Sequence, residues 1–203
     1  MIMALVLCCT NLNIQNPVPS SPVTSSQPSS SDCSIAEYPK GICLTSMYTR
    51  NSSSLSPMGS FEVSLGMGYN FTPLSMVALR VYAGTSHIAK QMLGGQGSVG
   101  GAALEYTQRL LAQSSLRPTM TCGYERLTIL QSANGLNGEG VRLQVGGDYS
   151  ATHSLTVQAA ATFAYRRYTE MIVAGENIGS IRPLIERVFG VSIGVSINFN
   201  LFL

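Results

Sequence analysis

Charge is what this chain most lacks. Only 11% of its 203 residues are Asp, Glu, Lys or Arg, against about a quarter in an ordinary soluble domain, so a conventional solvated surface cannot cover the whole molecule. The formal net charge is +2. Apart from the adjacent Arg166 and Arg167, its basic residues are scattered singly along the chain, which does not make the basic run or cluster that nucleic acid requires. Tryptophan is absent, histidine occurs twice and cysteine five times. No Cys-x-x-Cys pair or Cys/His cluster points to a metal, and no cofactor is expected. The glycine-rich "GGQGSVGG" lacks the Gly-Lys-Ser/Thr ending that holds phosphate and magnesium. Long apolar runs are missing too. Mean hydropathy is +0.20, yet nothing approaches the roughly 20 consecutive apolar residues of a spanning helix.

The first residues differ from the rest. "MIMALVLCCT" carries an apolar run too short to span and no basic start, so residues 1–16 read as a signal-peptide remnant or an N-terminal anchor. Residues 17–34, with "PVPSSPVTSSQPSSSD" at Pro17 to Asp32, hold too little apolar area to offset the entropy of ordering a backbone. They form a Ser/Pro-rich tether. Cys33 and Cys43 flank "SIAEYPKGI" and either close a disulfide loop in an oxidising compartment or remain free thiols.

What the chain does have is alternation. From Phe189 the ending "FGVSIGVSINFNLFL" sets Phe189, Val191, Ile193, Val195, Ile197, Phe199, Leu201 and Leu203 on one face. Gly, Ser and Asn occupy the other, with Phe202 as the exception. A period of two describes a strand between an apolar and a polar environment. Six more such runs precede it. Phe61, Val63, Leu65, Met67, Tyr69 and Phe71 oppose Glu62, Ser64, Gly66, Gly68 and Asn70, and comparable runs begin near Ser75, Gly101, Leu116, Val141 and Leu155. The run from Leu116 changes phase near Arg126, as a β-bulge would cause.

Connections between these runs read as alternately short and long. "RNSSSLSPMG", "SHIAKQMLGGQGS", "NGLNGEG" and "GENIGSIRP" are the long ones, and "TP", "AQSS" and "ATHS" the short. Transmembrane barrels join their strands in this rhythm. Each run is about 10 residues, enough to cross hydrocarbon when tilted. Bacterial barrels have an even number of strands, so a further strand is expected before Phe61, at "GICLTSMYT", Gly41 to Thr49. The expected fold is all-β: a closed antiparallel up-and-down transmembrane β-barrel of about eight strands over residues 41–203.

On these residues, positions 59–203 resemble the small outer-membrane β-barrels of the OmpA, OmpX and OmpW type. The ending "SINFNLFL" is similar to the family's C-terminal assembly signal, which implies that Phe199, Leu201, Phe202 and Leu203 address the barrel-assembly machinery. Leu203 stands where that signal has an aromatic residue. The resemblance further implies the outer membrane of a Gram-negative bacterium, with the lipid bilayer as the main partner.

Nine charged residues fall on the inward face: Glu62, Arg80, Glu105, Arg109, Arg117, Glu125, Arg142, Asp148 and Arg166. Buried charges must pair, and a barrel of about eight strands has an interior just filled by side chains. The expected function is therefore a structural or surface-binding barrel with a narrow, largely plugged polar lumen. Two alternatives are a narrow channel for small apolar solutes and a soluble lipocalin-like ligand binder. No enzyme is expected. Its one foothold is a rim hydrolase or acyltransferase using Ser86, His87 and Glu170 or Glu176, since His153 lies at the opposite end.

Overall fold

The computed structural model describes residues 41–86, 97–111, 114–152 and 154–200. Cys33, His87, His153, Leu201, Phe202 and Leu203, and the residues 1–34 read as anchor and tether, lie outside them. Eight strands follow one another: β1 Gly41–Ser53, β2 Ser56–Thr72, β3 Ser75–Ser86, β4 Gly97–Arg109, β5 Leu116–Gln131, β6 Asn134–Ser150, β7 Leu155–Val173 and β8 Glu176–Asn200. Each pairs with the next in a closed barrel, and β8 closes antiparallel on β1 from Gly41↔Asn200 to Ser53↔Val188. Closure removes the unpaired edge that lipid cannot tolerate.

Register fixes the tilt. Hydrogen-bonded partners followed from Cys43 through Gly68, Ala78, Glu105, Gly123, Arg142, Ala164 and Val188 return to β1 at Ser53. The step from residue 43 to residue 53 is a stagger of ten residues, which inclines the strands of an eight-strand barrel by about 40°.

Period two then sorts the side chains. Leu65, Leu79, Leu104, Val145, Val191 and Ile193 point outward and are each more than half exposed, while Thr45, Ser64, Arg80, Glu105, Gln144, Thr162 and Ser192 point inward and are buried. A soluble lipocalin-like barrel needs the opposite assignment of faces. Aromatic residues edge the apolar band at both ends, as at membrane interfaces. Tyr69, Phe71, Tyr106, Tyr149 and Phe199 mark the end that carries Gly41 and Asn200, here called the terminal end. Tyr48, Phe61, Tyr124 and Tyr165 mark the distal end, where Tyr48 and Phe61 stack at 6.3 Å. Phe61 and Phe71 stand ten residues apart on β2, about 25 Å of height at this tilt and strand rise, which is the usual lipid-facing span.

The distal connections depart from expectation. "RNSSSLSPMG" is mostly strand, with only Ser54 and Leu55 between β1 and β2, while "NGLNGEG" opens β6 and "GENIGSIRP" from Glu176 onward opens β8. The real connections there are Ser132–Ala133 and Ala174–Gly175, so the short–long rhythm does not hold at these three sites, while residues 87–96 within "SHIAKQMLGGQGS" lie outside the described residues. Beyond the membrane neither face of a strand meets lipid, so the apolar/small alternation that identifies a strand in sequence disappears while the hydrogen-bond ladder continues. Ala174 and Gly175 both have positive φ, 53° and 84°, as a two-residue I′ turn requires.

No bulge occurs near Arg126, because β5 pairs with β4 and β6 without a register shift. The apparent phase change is a change of surroundings. At that level Leu127 and Ile129 turn into the barrel and are buried, while Arg126 faces out. True register shifts lie elsewhere, at Asn51/Ser53, Asn70/Thr72 and Asn137/Gly138 and between Tyr168 and Ile172. Cys43 is a free thiol buried inside the barrel, with its Sγ 3.2 Å from the Met76 sulfur.

Candidate functional site

All nine charged residues read from the sequence point into the lumen and are buried. Strand position distributes them in tiers along the axis. Nearest the terminal end, Arg109 of β4 holds Asp148 of β6 at 3.1 Å and donates to the Asn70 Oδ1 of β2 at 3.1 Å. Asn70 continues to Asn198 of β8, 3.3 Å away, so one hydrogen-bonded chain reaches strands on every side of the lumen. Arg117 donates to the Ser150 hydroxyl at 2.6 Å.

The middle tier is lighter. Arg80 and Glu105 pair across β3 and β4 at 2.9 Å, and on the opposite wall Gln144, Thr162, Ser192 and Thr49 form a run of hydroxyl contacts of 2.7 to 3.0 Å. Thr45 Oγ1, Ser196 Oγ and Glu105 Oε1 have no hydrogen-bond partner among the described residues.

The third tier crosses the lumen. Arg142 of β6 reaches Glu62 of β2 at 2.9 Å and Glu125 of β5 at 2.8 Å, while Arg166 of β7 reaches the same two carboxylates at 2.7 Å each. In an eight-strand ring β2 and β6 are diametrically opposite, so the Arg142–Glu62 contact spans the full bore. Two cations and two carboxylates alternate in a closed ring, which leaves each oxygen accepting from a guanidinium. Tyr82 sits against this ring, its hydroxyl donating to Glu125 at 3.0 Å and its face 4.9 Å from the Arg142 guanidinium.

Above the ring, toward the distal end, the interior turns apolar. Tyr82, Val99, Ala103, Leu127, Ile129, Leu136 and Tyr168 form one buried cluster, with Leu55, Met171, Ile181 and Leu184 packed against it. Tyr168 donates to Glu186 at 2.7 Å, and Glu186 lies 3.9 Å from Arg166. Glu186 and this cluster escaped the sequence reading. Continuing the inward parity of β8 two residues back from Val188 finds Glu186, but that stretch reads as loop.

The C-terminal candidates divide. Phe199 faces outward in the terminal aromatic belt and is 48% exposed, whereas Leu201, Phe202 and Leu203 lie outside the described residues, as does His87 of the candidate rim set. Its companion Ser86 is buried, and Glu170 faces outward, accepting from Asn137 at 3.2 Å and Asn177 at 3.0 Å. Among the described residues no group of His, Cys, Asp and Glu is placed to hold a metal.

A closed antiparallel barrel with an apolar exterior is the pattern of membrane barrels, and solved structures share the fold. Neisserial surface protein A matches with a TM-score of 0.57 at 15% identity, over 78% of this chain and 96% of that one. The fold is that of the small outer-membrane barrels. The outer membrane protein OprG from Pseudomonas aeruginosa matches with a TM-score of 0.52 at 14% identity, over 83% of this chain and 100% of the other. At such identities the likeness is one of architecture. No protein-family model and no curated protein matches the sequence.

Proposed function

We propose that the chain is an integral outer-membrane barrel of a Gram-negative bacterium, with its distal end facing out and its lumen closed to solutes, serving as a structural or ligand-binding element of the cell surface. One observation carries this reading: the ring of Glu62, Glu125, Arg142 and Arg166 braces opposite walls of the barrel at 2.7 to 2.9 Å. The apolar cluster stacks on its distal side. An ion crossing that cluster would leave water in a low-dielectric constriction, and an apolar solute would have to part four buried charges. The reading includes no catalytic step and no cofactor, and it takes insertion to depend on the barrel-assembly machinery.

Planar-bilayer recording tests it. The reconstituted protein is expected to give no discrete conductance steps. A variant carrying both Glu62→Ala and Arg142→Ala, which removes the contact across the bore, should admit small ions if it still inserts. Steady unit conductance from the unaltered protein would replace the closed barrel with the channel alternative.

A further inference from the structure

We propose that outward-facing arginines at the distal edge of the apolar band, with Arg167 and Arg187 at their centre, bind the phosphate groups of a phosphorylated glycolipid in the outer leaflet. The inference rests on the membrane reading above and adds a ligand to its surface.

The distribution of charge on the outer face carries the argument. Among the described residues, no charged side chain faces outward at the terminal edge of the band, whereas Arg50, Arg126, Arg167 and Arg187 do so at the distal edge, all exposed. Arg50 pairs in register with Phe61 and Arg187 with Tyr165, both members of the distal aromatic belt. These cations therefore stand at headgroup level. The one acid among them is Glu139, which lies between Arg126 and Arg167 in a single cross-strand row and also accepts from the Tyr124 hydroxyl. Four cations against one anion leave the level electropositive.

Arg167 and Arg187 sit on neighbouring strands. Arg167 pairs with Ile185 and Arg187 with Tyr165, so the two are diagonal neighbours on one face, about 7 to 8 Å apart at the backbone. Among the described residues neither guanidinium is in an ion pair. Two flexible stems at that spacing can bring their forked donors onto one phosphate, the geometry in which arginine outperforms a point charge. Simple solvation of long side chains at an interface gives no reason for cations to gather at one edge only.

At Arg126 the wall holds a polar groove of about 360 Å³, lined by Gly100, Arg126, Thr128, Asn137, Glu139 and Glu170 among others. Thr128 donates to Asn137 at 2.8 Å and Asn137 to Glu170 at 3.2 Å along it. Hydroxyl, amide and carboxylate groups in a row suit the hydroxyls of a sugar, and the groove adjoins the cationic level. A headgroup joining sugar to phosphate would meet both features from the membrane.

The test uses the full chain, tagged and reconstituted in phosphatidylcholine vesicles that hold a small share of bacterial lipopolysaccharide. After detergent extraction, lipopolysaccharide retained by the barrel is measured. The unaltered protein should retain it several-fold above its share, should retain the dephosphorylated form much less, and should keep it in the presence of inorganic phosphate. A variant carrying Arg167→Gln and Arg187→Gln should lose most of that enrichment, and Arg182→Gln, farther from the band, should not. Equal retention of the two lipid forms, no loss in the double variant, or complete displacement by inorganic phosphate would overturn the proposal. Unheated gel mobility of each sample establishes insertion separately, so an inserted barrel without enrichment defeats this inference alone, and failure to insert defeats the membrane reading with it.

Discussion

Arg142→Ala removes one cation from a ring that is otherwise in balance. Arg142 supplies contacts of 2.9 Å to Glu62 and 2.8 Å to Glu125, and its side chain is 3% exposed. Once it is gone, Arg166 alone faces both carboxylates, and one buried negative charge is left uncompensated. Breaking a buried pair in this way costs about 3 to 5 kcal/mol, and loss of the guanidinium from the Tyr82 ring, 4.9 Å away, adds about 1 kcal/mol. A second substitution separates charge imbalance from lost packing. Glu62→Gln in the same chain restores one cation to one anion, so the double variant should recover at least about 1 kcal/mol relative to the sum of the singles. The assay is denaturant unfolding in lipid vesicles. Because the chain has no tryptophan, far-UV circular dichroism and gel mobility report the transition. A loss below about 1 kcal/mol for Arg142→Ala, or strictly additive singles, would show that these groups are hydrated rather than locked together.

The wall makes its own predictions. Ile193→Lys places a charge in the apolar band where the native side chain is 59% exposed to lipid, and should destabilise by about 2 to 4 kcal/mol. Ser192→Ala, one residue away, removes a hydroxyl between Thr49 and Thr162 and should cost about 1 kcal/mol; equal tolerance of the two in the same unfolding assay would reverse the assignment of faces. Gly84→Ala would drive a methyl group into the Phe61 carbonyl and to 2.9 Å from the Glu62 Cα. Those neighbours are backbone, so the β2–β3 register must shift, and the folded fraction on an unheated gel should fall sharply. Normal folding of this variant would show that the wall is less tightly coiled there.

Within the membrane the chain is legible because two solvents act on it. Lipid demands Leu65, Val145 or Ile193 on one face, and a narrow bore demands Gly, Ser, Thr and paired charges on the other, so every inward charge can be found by parity alone. Which charges meet is another matter. Glu62 and Arg142 are 80 positions apart, and their contact follows from the ten-residue stagger, which no local pattern encodes. Beyond the distal belt the two-solvent rule ends. Asn134–Gly140 and Glu176–Pro183 then resemble loops, and Leu127 and Ile129 turn inward where the parity of β5 had placed polar groups. The change of phase at Arg126 was a real signal of leaving the membrane, and it imitates a bulge because both put apolar residues on the unexpected face.

The central claim is a closed barrel with its apolar face in lipid and its charges inside, and differential gel migration tests it most directly. Protein extracted from membranes and held in SDS without heating should migrate as a compact species, because strand pairing closed from β1 to β8 leaves no edge at which unfolding can begin. Boiling should shift it to the mobility of the 21.6 kDa unfolded chain. One mobility before and after heating, together with recovery of the protein in the soluble fraction, would contradict the account.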